Sequence, residues 1–174
     1  ERDVENEYSF LQVFRKREDS EQTYPKPKPS KTCAIFRIGG WGDALQMTSI
    51  LNGLKEQGYH ITVITNSKAE EVLRHDPLID EFVLQDIEQV PNHQLREYWA
   101  HLRKKYGRFI NLSESVENQF LAVHDDPVFF WPKKARHSVM NGNYVETTHY
   151  IAEVPWNGFP ECRFVATEDE LKWA

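Results

Sequence analysis

Cys33-Ala34-Ile35-Phe36-Arg37-Ile38-Gly39-Gly40-Trp41-Gly42-Asp43-Ala44-Leu45 is the stretch on which the fold turns. Cys33 to Arg37 read as a short buried strand. Residues 38–43 read as a glycine-rich turn, in which Gly39, Gly40 and Gly42 let the backbone bend sharply and come close to a ligand. After the turn the apolar spacing becomes helical, with Met47, Ile50, Leu51 and Leu54 on one face of a helix over residues 44–57. Gly58 stands where helices commonly end on a glycine. A strand that passes through such a turn into an amphipathic helix opens a βαβ unit.

The same alternation continues along the chain. His60-Ile61-Thr62-Val63-Ile64-Thr65 is a second strand, rich in β-branched residues. Ser67-Lys68-Ala69-Glu70 has the form of a capping box and opens a second helix, in a region that Pro77 closes. Glu81-Phe82-Val83-Leu84 is a third strand. Asn92 is the expected cap of a helix reaching about Tyr106, with Leu95, Trp99 and Leu102 on one face, and Arg108-Phe109-Ile110-Asn111-Leu112 is a fourth strand. Strand and helix alternating at short intervals imply parallel strands joined by crossovers. The expected architecture is α/β, a Rossmann-like, doubly wound parallel sheet over residues 32–166. No internal repeat is apparent.

The two ends read differently. Residues 1–22 are charged, with Phe10, Leu11, Val13 and Phe14 as their apolar cluster, and are expected to form a helix docking one face. Alternating Pro and Lys over residues 24–31 favours extended polyproline II, hence a linker. At the other end Thr167-Glu168-Asp169-Glu170 is another capping box, followed by Leu171 and Trp173. A helix begun there is expected to continue into further chain; the alternative is a short terminal helix packed on the domain.

Composition narrows the function. The 174 residues are 40% hydrophobic, and no apolar run approaches the roughly 20 residues of a membrane-spanning helix. Glu1 to Glu7 show no signal-peptide pattern. A net charge of -6 argues against a general nucleic-acid binder. Cys33 and Cys162 are far apart and have no metal-site spacing, and a reduced, buried Cys33 fits a cytoplasmic setting.

In an open parallel sheet, ligands bind at the carboxyl ends of the strands, which puts the glycine turn at the candidate site. A P-loop would need Gly-Lys-Ser/Thr, which is absent. A dinucleotide fingerprint would need a glycine where Leu45 stands, and an acidic residue after the second strand where Asn66 stands. Asp43 at the helix start also opposes a pyrophosphate. On these grounds alone Asp43 reads as an N-cap. Trp41 is bulky for a turn and either stacks on a sugar or covers the strand ends. Phe129, Phe130 and Trp131 read as core. His124-Asp125-Asp126 reads as a plain turn before Pro127 rather than as metal ligands.

The chain from about Cys33 to Trp173 resembles glycosyltransferase family 9, the ADP-heptose:lipopolysaccharide heptosyltransferases. That family opens with a strand, an Arg, a small-residue pair, Gly-Asp and an amphipathic helix, matched here by Arg37, Gly39-Gly40, Gly42-Asp43, and Thr48, Leu51 and Leu54-Lys55. Leu73-Arg74-His75-Asp76-Pro77-Leu78-Ile79-Asp80 is similar to its passage before the third strand, and Tyr106-Gly107-Arg108-Phe109-Ile110-Asn111-Leu112 to its fourth. Tyr144-Val145-Glu146, with Ile151-Ala152-Glu153-Val154-Pro155, is similar to the helix near the end of its N-domain. The family usually has Ser at the positions of Gly39 and Gly40, often Pro at that of Ser49, and Asp then Gln-Gly after the fourth strand, where this chain has Asn111, Ser113 and Glu114.

The resemblance implies a GT-B arrangement of two Rossmann-like domains, of which these residues are the acceptor-binding half. A C-terminal donor domain beyond residues 167–174 would bind the nucleotide-sugar, so the activity would not be complete in this chain alone. The implied reaction is inverting sugar transfer from an ADP-heptose-like donor to a lipopolysaccharide-core or other glycan acceptor, without metal or cofactor. Asp43 is the implied catalytic residue, with Arg37, Gly39, Gly40, Trp41, Gly42, Lys133 and Arg136 at the acceptor. Lys133 and Arg136 belong to a basic cluster with Lys134 and His137, which is either a solvated surface or a contact to core phosphates. The implied partners are a glycan or lipid-linked sugar acceptor and the donor domain, not nucleic acid. The implied setting is cytoplasmic, with peripheral association at the inner face of the membrane. A non-catalytic carbohydrate-binding or assembly module is the alternative.

Overall fold

The computed structural model describes residues 13–14, 31–85, 90–113, 131–159 and 161–173. In chain order the elements are β1 (Val13–Phe14), β2 (Thr32–Phe36), α1 (Trp41–Met47), α2 (Leu51–Glu56), β3 (His60–Thr65), α3 (Ser67–Leu73), β4 (Glu81–Leu84), α4 (Leu95–Arg103), β5 (Arg108–Asn111), α5 (Lys133–Met140), α6 (Tyr144–Ile151) and α7 (Glu168–Trp173). A 3-10 turn, Thr48–Ile50, joins α1 to α2, and another, Asn92–Gln94, leads into α4.

The sheet order is β1-β4-β3-β2-β5. The strands β4, β3, β2 and β5 are parallel, and β2 sits inside, pairing Ile35 with Val63 on one side and with Ile110 on the other. Residues that alternate along each strand face opposite ways. Cys33 and Ile35 therefore pack with Met47, Leu51, Leu54 and Leu73 of α1, α2 and α3. Ala34 and Phe36 pack with Tyr98, Trp99 and Leu102 of α4. With both faces covered, this is a four-stranded parallel sheet flanked by helices, the Rossmann-like architecture expected. The helices change face because the chain first travels from β2 outward to β4 and then returns past β2 to β5, and crossovers of one hand then fall on opposite sides.

Four local expectations are corrected. At Val13–Phe14 the chain is not helical but pairs antiparallel with Leu84 and Val83. The edge of β4 offers unpaired backbone groups, and a β-branched residue beside an aromatic one suits a strand. The rest of residues 1–22, and residues 24–30 of the linker, lie outside the described residues. The helix over residues 44–57 starts at Trp41 and is interrupted at Thr48–Ile50. There the hydroxyls of Thr48 and Ser49 donate back to Leu45 O (2.6 Å) and Gln46 O (2.8 Å), competing for helical carbonyls. The cap of α3 is Asn66 rather than Ser67: Asn66 Oδ1 accepts from Ala69 N at 2.8 Å, and Glu70 turns to Arg74. Asn92 begins a 3-10 turn, and α4 proper is capped by Gln94 and ends at Arg103.

Val154 and Arg163 help fasten the C-terminal residues to this frame. Val154, just after α6, packs onto Gly53 of α2 so closely that a Cβ there would lie 2.4 Å from Val154 Cγ1. Arg163 forks onto the buried Asp76 through Nε (2.9 Å) and Nη2 (2.6 Å), and its backbone N donates to Thr48 Oγ1 at 2.9 Å. The capping box of α7 forms as read: Glu170 N donates to Thr167 Oγ1, and Glu170 Oε2 accepts from Thr167 N at 2.6 Å. None of the residues of α7 is buried.

Candidate functional site

The chain reverses its direction of travel at β2, which makes the gap beyond the carboxyl ends of β2 and β5 the place where a ligand has room to enter. Arg37 leaves β2 there and is anchored on both sides. Its backbone N donates to Ile64 O at 3.0 Å, and its O accepts from Thr65 Oγ1 at 2.5 Å. Its Nη1 donates to Leu112 O at 3.0 Å, beyond β5. Ile38 N donates to Ser113 Oγ at 2.9 Å, and Asn66 Nδ2 donates to Gly39 O at 3.0 Å. Residues 37–39 are thus pinned to the ends of β3 and β5 before α1 begins.

Asp43 projects into this loop from the first turn of α1. It is not the N-cap, which is Gly40, but the third helical residue. Its Oδ2 accepts from Gly40 N at 2.8 Å, and its Oδ1 accepts from Arg37 Nη2 at 2.5 Å. Arg37 is only 5% exposed, whereas Asp43 is 32% exposed. The carboxylate rests on Gly39, where a Cβ would come within 2.4 Å of Oδ2 and 2.8 Å of the Asp43 Cβ. A Cβ at Gly42 would meet nothing within 4 Å, so the surface next along the helix is uncrowded. Trp41 is 52% exposed, and the Lys68 ammonium lies 5.7 Å from its ring centroid. Negative charge in the first turn of a helix is favourable, and Arg37 adds a full positive charge beside it. An ionised carboxylate has about four lone-pair positions. The two bonds leave acceptor capacity facing solvent.

The remaining expected residues do not all gather here. Lys133 is exposed at the start of α5, and among the described residues no hydrogen bond or ion pair joins it to the loop. The Arg136 side chain, His124, Asp125, Asp126, Phe129, Phe130 and Glu114 lie outside the described residues. Trp131, read as core, is exposed. Asn66 spends its amide on the Gly39 carbonyl and its oxygen on the α3 cap, so neither is turned to a ribose. Thr65, Asn66 and Ser113 are the loop anchors that the sequence reading missed. Each lies just past or at the end of a parallel strand, and that position is the signal that could have found them. A cleft of about 360 Å³ beside β5, lined by Arg103, Tyr106, Phe109 and Asn111 among others, shares no residue with the loop. Among the described residues no group of three His, Cys, Asp or Glu is placed to hold a metal ion. No helix among them is long and apolar enough to cross a membrane.

No protein-family profile and no curated protein matches the chain. Among solved structures, the chain is similar to the glycosyl transferase family 9 protein from Veillonella parvula DSM 2008, with a TM-score of 0.48 and 20% sequence identity. The similarity covers 80% of this chain and 46% of that one, so the chain spans less than half the length of that protein.

Proposed function

We propose that this chain is the acceptor-side half of an inverting sugar transferase of the heptosyltransferase type, with Asp43 as its general base. The observation that carries the reading is the place of one carboxylate. Asp43 stands at the switch point of the sheet, paired with Arg37 and still 32% exposed to solvent. A sugar hydroxyl is a poor nucleophile, and a carboxylate within hydrogen-bond reach can take its proton as it attacks. In the step proposed, the acceptor oxygen bonds to the anomeric carbon of the donor. The bond from that carbon to the nucleoside diphosphate breaks with inversion, and the hydroxyl proton passes to Asp43. Gly39, Gly40 and Gly42 keep the approach clear, Trp41 gives the acceptor ring a surface, and Lys133 and Arg136 meet its phosphates. The donor, an ADP-heptose-like nucleotide-sugar, is held by a second Rossmann-like domain outside these residues. The lipopolysaccharide-core or other glycan acceptor is met at the cytoplasmic face of a membrane.

One observation favours a second reading, a carbohydrate-binding or assembly module without catalysis. Both Asp43 oxygens already hold internal partners, as they would if the residue only braced the loop. The two readings separate in an assay of the full-length gene product with ADP-heptose and a lipopolysaccharide-core oligosaccharide. The transferase reading expects ADP release together with an extended acceptor. Binding of the oligosaccharide with no ADP release across a panel of nucleotide-sugars favours the module. Tight binding of NAD in a calorimetric titration contradicts both.

A further inference from the structure

We infer that Arg37 is a positioning residue that holds Asp43 in place, and that Gly39 is the seat on which the carboxylate rests. For its kinetic consequence this rests on the transferase reading; its geometry stands apart from it. Arg37 is withdrawn from solvent, so a bound acceptor has little of it to touch. Among the described residues its guanidinium reaches Leu112 O at 3.0 Å and Asp43 Oδ1 at 2.5 Å, and so ties the end of β5 to the first turn of α1. The bonds that Arg37 N donates to Ile64 O and Arg37 O accepts from Thr65 Oγ1 hold its backbone as well, and the carboxylate is thereby indexed to three parallel strands. Gly39 completes the arrangement by subtraction. In this chain a Cβ there would lie 2.4 Å from Oδ2 and 2.8 Å from the Cβ of Asp43, so a side chain at position 39 requires the Asp43 carboxylate to shift. A rigid, buried fork of this kind fixes direction as well as charge, which a lysine ammonium does not.

The test uses the full-length gene product, with transfer from ADP-heptose as the kinetic readout and thermal melts of every variant. Arg37→Gln is expected to lower kcat roughly 10²-fold, the scale on which a displaced catalytic group costs rate. The acceptor KM should stay within about twofold, since uniform binding is untouched. Arg37→Lys should recover part of the loss. Arg37→Gln added to Asp43→Asn should slow the enzyme no further, because both changes act through one group. A raised KM with unchanged kcat puts Arg37 on the acceptor and overturns the inference, as do multiplicative losses in the double variant. If Arg37→Gln does not fold, Gly39→Ala decides: a fall in kcat supports the seat, and unchanged kcat overturns it. If the wild-type protein transfers nothing, the transferase reading fails on its own account. The positioning claim is then read from the melts, where coupled Arg37 and Asp43 losses support it and additive losses overturn it.

Discussion

At the scale of single residues, the decisive fact about Asp43 is its register in α1. One position earlier or later, its carboxylate would not span Gly40 N and Arg37 Nη2 together. A turn at Gly39 and Gly40 was legible from glycine spacing, but its end was not: Trp41 to Asp43, read as turn, form the first turn of α1. The ion pair was not legible either, because Arg37 reads in sequence as a strand-end charge and only the folded loop turns it inward. This register also changes what Asp43→Asn does. An amide keeps one acceptor oxygen but sets an NH₂ against a donor, so the change is not structurally silent and needs its own melt.

Two other residues carry predictions at this scale. Burial pushes the Cys33 thiol up from 9.0 to about 11, with nearby Arg108 opposing the shift. Between those values the folded chain keeps a proton that the unfolded chain releases, so this contribution to stability is intact below about pH 9 and is lost as pH rises toward 11. Tyr106, raised by burial and then by Glu81, acts in the same direction. Urea melts across that range should show falling stability, with a shallower fall in Cys33→Ala; an unchanged slope contradicts the assignment. Gly53→Ala should likewise depart from the usual helix gain. Its Cβ would lie 2.4 Å from Val154 Cγ1, and overpacking of this kind costs roughly 1–3 kcal/mol. A higher melting temperature in Gly53→Ala would show that the two segments do not meet.

At the scale of elements, β3 and β4 have the bounds that β-branched and apolar runs suggest; β3 is buried from Ile61 to Thr65, so its apolar signal is continuous, while in β4 Val83 is buried and Glu81 exposed. Helix ends were less legible. Ser67 and Asn66 are both good caps, and the choice fell to Asn66 because its amide also reaches Gly39 across the loop, a partner 27 positions away. The break between α1 and α2 depends on which carbonyls the Thr48 and Ser49 hydroxyls find, and spacing does not report that. The clasp between Arg163 and Asp76 was invisible for the same reason. It joins residues 87 apart and, with the bond from Arg163 N to Thr48 Oγ1, holds Arg163 against the turn at Thr48. Arg163→Ala would leave Asp76 buried without its charge partner, a loss on the order of 3 kcal/mol. Limited proteolysis should then open the chain between α6 and α7 well before it cuts the sheet; cleavage at the wild-type rate contradicts a clasp.

At the scale of the molecule, the alternation of strands and helices was enough to specify a parallel sheet, since crossovers of one hand leave few arrangements. The strand order adds that the reversal of travel at β2 puts the glycine loop beside the end of β5. The antiparallel β1 was not legible: two residues in a charged segment carry too short a pattern to separate strand from helix. The proposed function comes down to one claim, that Asp43, held by Arg37 and 32% exposed, takes the proton of an attacking sugar hydroxyl. The most direct measurement is sugar transfer by the Asp43→Asn full-length gene product, run well below the melting temperature of that variant. The account predicts a kcat roughly 10²-fold or more below wild type with acceptor binding retained; turnover near the wild-type rate would contradict it and reduce Asp43 to a brace for the loop.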